Sequence, residues 1–172
     1  PRSVGVILVY TGNGKGKTSA CLGQAVRALG SGLRVAFAQF MKEPGCAGEQ
    51  RLLERLLGRD FLAGGCGFFR REEDRPRHRH AAETTLAWAR RRLAGHDVLI
   101  LDEALYALRA GLLPREDVEA LLREARENDC HVVLSGRDAP DWLVRTADLV
   151  TRMEEVKHPW KQGLPAVSGV DF

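Results

Sequence analysis

Two rhythms of apolar and polar positions alternate along the chain. Residues 4–10, 34–40, 97–101, 131–135 and 149–156 are nearly continuous β-rich runs, the pattern of strands covered on both faces of a parallel sheet. Residues 17–29 have helical spacing instead, with Ala20, Gln24 and Ala28 on one side and Leu22, Val26 and Leu29 on another, ending at Gly30 and Gly32. Residues 48–57 repeat the pattern through Leu52, Leu53, Leu56 and Leu57. Residues 61–69 are glycine-rich and aromatic and read as a strand end and loop. The charge-dense stretch 70–80, with Pro76, reads as a solvated loop or helix start, followed by a helix through about Leu93 that turns Ala82, Leu86 and Ala89 inward. A short helix is predicted over 103–110. Pro114 opens the next helix at its first turn, where Glu116 and Asp117 suit the positive end. Residues 139–147 are expected to be helical, and the tail 157–172 to be a loop. Strands alternating with helices predict an α/β fold, a mostly parallel sheet flanked by helices, in one domain spanning 1–172.

Composition narrows the function classes. Of 172 residues, 26 are Lys or Arg and 23 Asp or Glu, a formal charge of +3. That balance carries no nucleic-acid signature. No apolar run approaches the length of a membrane helix, so no membrane partner is expected. The first strand lies so near the start that any leader or N-terminal arm would precede Pro1. Cys21, Cys46, Cys66 and Cys130 lack C-x-x-C spacing, which argues against zinc or a disulfide framework and for a reducing, cytoplasmic setting.

The chemistry concentrates in Thr11-Gly12-Asn13-Gly14-Lys15-Gly16-Lys17-Thr18-Ser19, between a buried strand and a helix. Glycines there free backbone N–H groups to curl around phosphate oxygens, and the helix N-terminus adds positive charge. Lys17 is placed to reach phosphates, and the Thr18 hydroxyl to face magnesium. Thr11 stands where the first glycine of a Walker A loop belongs. Asp102-Glu103, ending the run 98–101, supplies carboxylates beside this loop. A carboxylate at that strand end is where a magnesium ligand is expected, or Asp102 caps the following helix; both hold if Asp102 is structural and Glu103 is on the metal. A nucleotide site alone is compatible with adenosyl transfer, with a phosphoryl-transferring ATPase or kinase, or with a nucleotide-gated binding protein.

Nearly the whole chain resembles the P-loop type ATP:corrinoid adenosyltransferases, also called cob(I)alamin adenosyltransferases. The likeness is carried by the loop with its threonine, Gln39-Phe40-Met41-Lys42, Gly67-Phe68, Leu101-Asp102-Glu103 with Tyr106-Ala107-Leu108, and Leu113-Pro114. It continues through Ser135-Gly136-Arg137, Ala147-Asp148-Leu149-Val150 and Val156-Lys157-His158-Pro159. The resemblance implies a RecA-like P-loop fold and attack of corrinoid cobalt(I) on the 5′ carbon of ATP, with triphosphate as leaving group. It implies that ATP lies reversed relative to ordinary P-loop enzymes. Lys15 and Lys17 would then stabilise the leaving group, while Thr18 and Glu103 hold magnesium. Gly12, Asn13, Gly14, Gly16, Ser19 and Arg137 would complete the ATP site. Phe68 matches an aromatic residue expected beneath the corrinoid, and Phe69 is expected to add bulk because Arg70 stands where the family has tryptophan. Lys157 and His158 would meet the corrinoid's polar rim. The same resemblance implies a homodimer supplied with electrons by a reductase, acting on cobalamin or cobyrinic acid a,c-diamide.

Overall fold

The computed structural model describes residues 4–172; the first three positions of the expected 1–172 domain lie outside the described residues. Among the described residues one sheet of six strands forms: β1 (Ile7–Thr11), β2 (Val35–Gln39), β3 (Phe61–Ala63), β4 (Val98–Asp102), β5 (His131–Ser135) and β6 (Leu149–Arg152). Their order is β3-β2-β4-β5-β1-β6, and every neighbouring pair is parallel. Six helices join them: α1 (Lys17–Gly30), α2 (Gly48–Leu57), α3 (Arg75–Arg90), α4 (Ala104–Arg109), α5 (Arg115–Glu127) and α6 (Asp141–Thr146).

The apolar runs become central strands because both their faces are covered. Successive residues divide between two cores: Ala36, Ala38, Leu99, Leu101, Val132 and Leu134 pack on one face, and Val35, Phe37, Val98, Ile100 and Val133 on the other. The first core is closed by α3, α4 and α5 through Leu86, Leu105 and Leu121; the second by α1 and α2 through Cys21, Ala25 and Leu53. All helices thus return to a sheet whose strand ends point one way, which brings the loops after β1, β2 and β4 together at the C-terminal edge.

Several boundaries differ from the sequence reading. The helix α3 begins at Arg75, within the charged stretch, with Pro76 in its first turn. His78 on it is buried rather than solvated, because its ring packs edge-on against Phe69 and its Nδ1 lies 3.3 Å from Cys66 Sγ. The aromatic segment yields the extra short strand β3. Pro114 is the N-cap of α5, one place before the first turn, and β6 stops at Arg152, with all four residues at the exposed sheet edge.

Candidate functional site

The turn after β1 is shaped by close backbone contact. Gly12 has φ 102°, and a Cβ there would lie 2.2 Å from the Met153 carbonyl oxygen. Gly14 donates its N–H to that same carbonyl at 2.8 Å. The segment leaving β6 therefore presses the loop into shape, and glycine is the residue that tolerates both constraints. Gly16, also left-handed at φ 112°, caps α1 and lines the cleft together with the first residues of that helix.

Lys17 is buried, and its ammonium donates to the carbonyls of Gly12 at 2.9 Å and Gly14 at 2.7 Å. Burial lowers its pKa; Glu103 and Asp102 oppose that, and Arg137 adds to it. Lys15, half exposed, pairs with Asp171 Oδ1 at 2.8 Å and donates to the Asp171 carbonyl at 3.2 Å.

Asp102, at the end of β4, is wholly buried and is the hub of the site. Its Oδ1 accepts from Thr18 Oγ1 at 3.0 Å and Ser135 Oγ at 2.7 Å. Its Oδ2 accepts from Gln39 Nε2 at 3.2 Å and Lys42 Nζ at 3.1 Å. Asp102 is therefore structural support and not the helix cap; the N-cap of α4 is Glu103, which makes no side-chain cap bond. Glu103 adopts φ 60°, a strained left-handed conformation for a non-glycine residue, and donates its N–H to Ser135 Oγ at 3.0 Å. Burial and the neighbouring Asp102 push its carboxyl above the usual range, while Lys42, Lys17 and Arg137 pull it back.

These groups open onto one cleft of about 930 Å³, lined by Lys15, Lys17, Thr18 and Glu103 and, on apolar walls, by Met41, Phe68 and Tyr106. Phe68 is 70% exposed and meets Tyr106 edge-on at 6.4 Å. Phe69, grouped with it from sequence, packs instead against the core, with Arg75 4.7 Å above its ring. One aromatic therefore faces the cleft and the other the interior. Ser19 lines the cleft. Asn13 and Arg137 are exposed, and the Arg137 charge acts on Lys17 and Glu103. Lys157 is exposed, and His158 Nδ1 accepts from the Trp160 N–H at 3.2 Å, capping a local turn.

Sequence reasoning assigned no role to Lys42, Glu49, Ser135 or Asp171. The stretch Gln39-Phe40-Met41-Lys42 was a signal, since two of its polar atoms, Gln39 Nε2 and Lys42 Nζ, each reach both Asp102 and Glu49. Asp171 carries no local pattern.

A family model described as ATP:corrinoid adenosyltransferase BtuR/CobO/CobP matches residues 3–172. The chain belongs to that family. It is an enzyme that uses ATP to adenosylate a corrinoid, the chemistry of adenosylcobalamin biosynthesis or salvage. Similar proteins include corrinoid adenosyltransferases of Pseudomonas aeruginosa, 40% identical over 98% of this chain and 84% of that protein, and of Sinorhizobium sp, 38% identical over 98% and 80%. The corrinoid adenosyltransferase of Escherichia coli K12 is 36% identical over 98% of this chain and 86% of its own length. Among solved structures, a DNA replication initiation factor aligns over 89% of this chain and 41% of its own, with 13% identity and a TM-score of 0.47. No helix among the described residues of the adenosyltransferase is long and apolar enough to cross a membrane.

Proposed function

We propose that the glycine–lysine loop of this RecA-like P-loop fold grips the triphosphate of ATP so that ribose C5′, not the terminal phosphorus, is presented to the corrinoid. The observation that supports this reading is a single cleft lined both by Lys15, Lys17, Thr18 and Glu103 and by Phe68 and Tyr106. One set of groups suits a polyanion; the other suits the face of a large apolar ring.

The cobalt(I) electron pair attacks C5′, the C5′–O bond breaks, and its electrons leave with triphosphate. No protein nucleophile is required, because the substrate's cobalt fills that role. Loop N–H groups, Lys15 and Lys17 stabilise charge developing on the leaving oxygens, as preorganised donors in a partly dry cleft do best. Gly12, Asn13, Gly14, Gly16, Ser19 and Arg137 complete the phosphate contacts. Phe68 excludes water and an axial ligand beneath the ring; Lys157 and His158 approach its polar rim.

The donor set fits magnesium: the Thr18 hydroxyl and Glu103 carboxylate are hard oxygens, and the Lys42 ammonium already lies on the first and acts on the charge of the second. Among the described residues there is no cluster of three or more His, Cys, Asp or Glu that could hold a metal. Magnesium bound there would neutralise triphosphate charge. In this reading the enzyme is a cytoplasmic homodimer served by a reductase, in keeping with its four free thiols.

The test is anaerobic incubation with ATP, magnesium and chemically reduced cobalamin. Adenosylcobalamin and tripolyphosphate forming one for one supports the reading. ADP and phosphate released without corrinoid contradicts it.

A further inference from the structure

Lys42 follows β2 and projects into the floor of the cleft. Its ammonium lies 3.2 Å from Thr18 Oγ1, 3.1 Å from Asp102 Oδ2 and 3.0 Å from Glu49 Oε1. Thr18 belongs to the magnesium locus described above, and Asp102 holds its hydroxyl in place. A lysine ammonium is a compact point charge on a flexible stem, suited to leaving one oxygen cluster for another nearby. Glu49 is held independently, since it also accepts from Gln39 Nε2 at 2.9 Å, so it stays in place whether or not Lys42 leans on it. Gln39 is locked in turn by Gln50, whose Nε2 donates to Gln39 Oε1 at 2.9 Å. The frame is therefore fixed and the lysine is its movable part. Lys42 also lines the same cleft as Lys15 and Lys17.

A divalent cation on Thr18 and Glu103 and the Lys42 ammonium compete for the Thr18 hydroxyl. We propose, resting on the metal–polyphosphate reading of this cleft, that Lys42 is a displaceable cation: it leans on Thr18 and Asp102 when no divalent cation is bound, and gives up the Thr18 hydroxyl when metal arrives with triphosphate. Released from Thr18, the ammonium turns to the phosphate chain and becomes a further substrate-contacting residue. Two consequences follow. Metal alone binds poorly, because it must evict a charge held by the carboxylates of Asp102 and Glu49. Metal with triphosphate binds well, because the evicted charge gains a new anionic partner.

The experiment measures free Mn²⁺ by electron paramagnetic resonance, without corrinoid, first with Mn²⁺ alone and then with Mn²⁺ and tripolyphosphate. Lys42→Met is expected to bind Mn²⁺ alone about tenfold more tightly than the unaltered enzyme, and tripolyphosphate in the presence of Mn²⁺ about tenfold more weakly. Lys15→Met removes the same charge from the same cleft without touching Thr18 or Asp102, and should change Mn²⁺ binding alone by less than about twofold. Lys42→Gln, which keeps a donor toward Asp102, gives the same pair of readouts if Lys42→Met fails to fold. Unchanged Mn²⁺ affinity in the Lys42 variant, unchanged tripolyphosphate affinity, or an equal gain in Lys15→Met overturns the proposal while leaving the cleft's assignment standing. An unaltered enzyme that binds no Mn²⁺ even with tripolyphosphate overturns the metal–polyphosphate reading, and the role of Lys42 with it.

Discussion

The hydroxyl of Thr11 accepts a hydrogen bond from the backbone N–H of Ala139 at 3.1 Å. This bond ties the start of the phosphate loop to the turn that carries Gly136 and Arg137, and a glycine at position 11 could not make it. The departure from the usual loop spelling therefore has a structural use. Thr11→Val should leave the Ala139 N–H without its partner and cost about 1 kcal/mol of stability. Thr11→Ser should restore most of it. Thermal unfolding of both variants checks this, and equal melting temperatures in all three proteins would reject the tie.

Lys17→Ala removes the buried ammonium nearest the loop carbonyls. Turnover should fall by about 10²–10³-fold, the usual loss when one preorganised charge-stabilising group is deleted. Single-turnover kinetics with saturating ATP separates this from weaker binding. An unchanged rate would deny Lys17 its role.

Phe68 and Phe69 should part company. Phe68→Ala is expected to impair reaction from cobalt(II) corrinoid with reductant more than reaction from preformed cobalt(I), with little effect on stability, because the side chain is mostly exposed. Phe69→Ala should cost about 3 kcal/mol or somewhat less, since the ring is only partly buried against the core. Activity assays with both cobalt states, alongside melting curves, distinguish them; matching behaviour of the two variants would contradict the assignment.

Asp148 tests the fold rather than the chemistry. Its Oδ2 accepts the Ile7 N–H at 2.8 Å, and it pairs with Arg126 at 3.1 Å, which together hold its carboxyl below the ordinary range. A depressed native pKa contributes stability that is present above the unfolded value and lost as pH falls through the native one. Asp148→Asn should therefore lower the melting temperature near pH 7 by the equivalent of about 0.5–1 kcal/mol, solvent screening included. The gap should shrink as the pH drops below about 4. A gap that widens in acid would contradict this account.

The core strands were legible because parallel strands buried on both faces need continuous apolar runs, and 98–101 and 131–135 show them plainly. The phosphate loop was legible because its glycines and lysines are contiguous. The start of α3 was obscured by mixed charges that place only His78 toward the interior. The network around Asp102 joins Thr18, Gln39, Lys42 and Ser135 from separate loops and strands, so the stretch 39–42 marks one part of it and no local pattern shows the whole. Which of Phe68 and Phe69 faces the cleft is set by tertiary packing, Phe69 against the core and Phe68 against Tyr106. The Lys15–Asp171 pair joins residues 156 positions apart, and no spacing rule reaches that far.

The central claim concerns which end of ATP meets the corrinoid, and paramagnetic relaxation reads that distance directly. The measurement uses the enzyme with cob(II)alamin, magnesium and a non-reacting ATP analogue labelled with ¹³C at C5′. The unpaired electron on cobalt should broaden the C5′ carbon far more strongly than the γ-phosphorus. Stronger broadening of the γ-phosphorus would place the wrong end of the nucleotide at the ring and contradict the account.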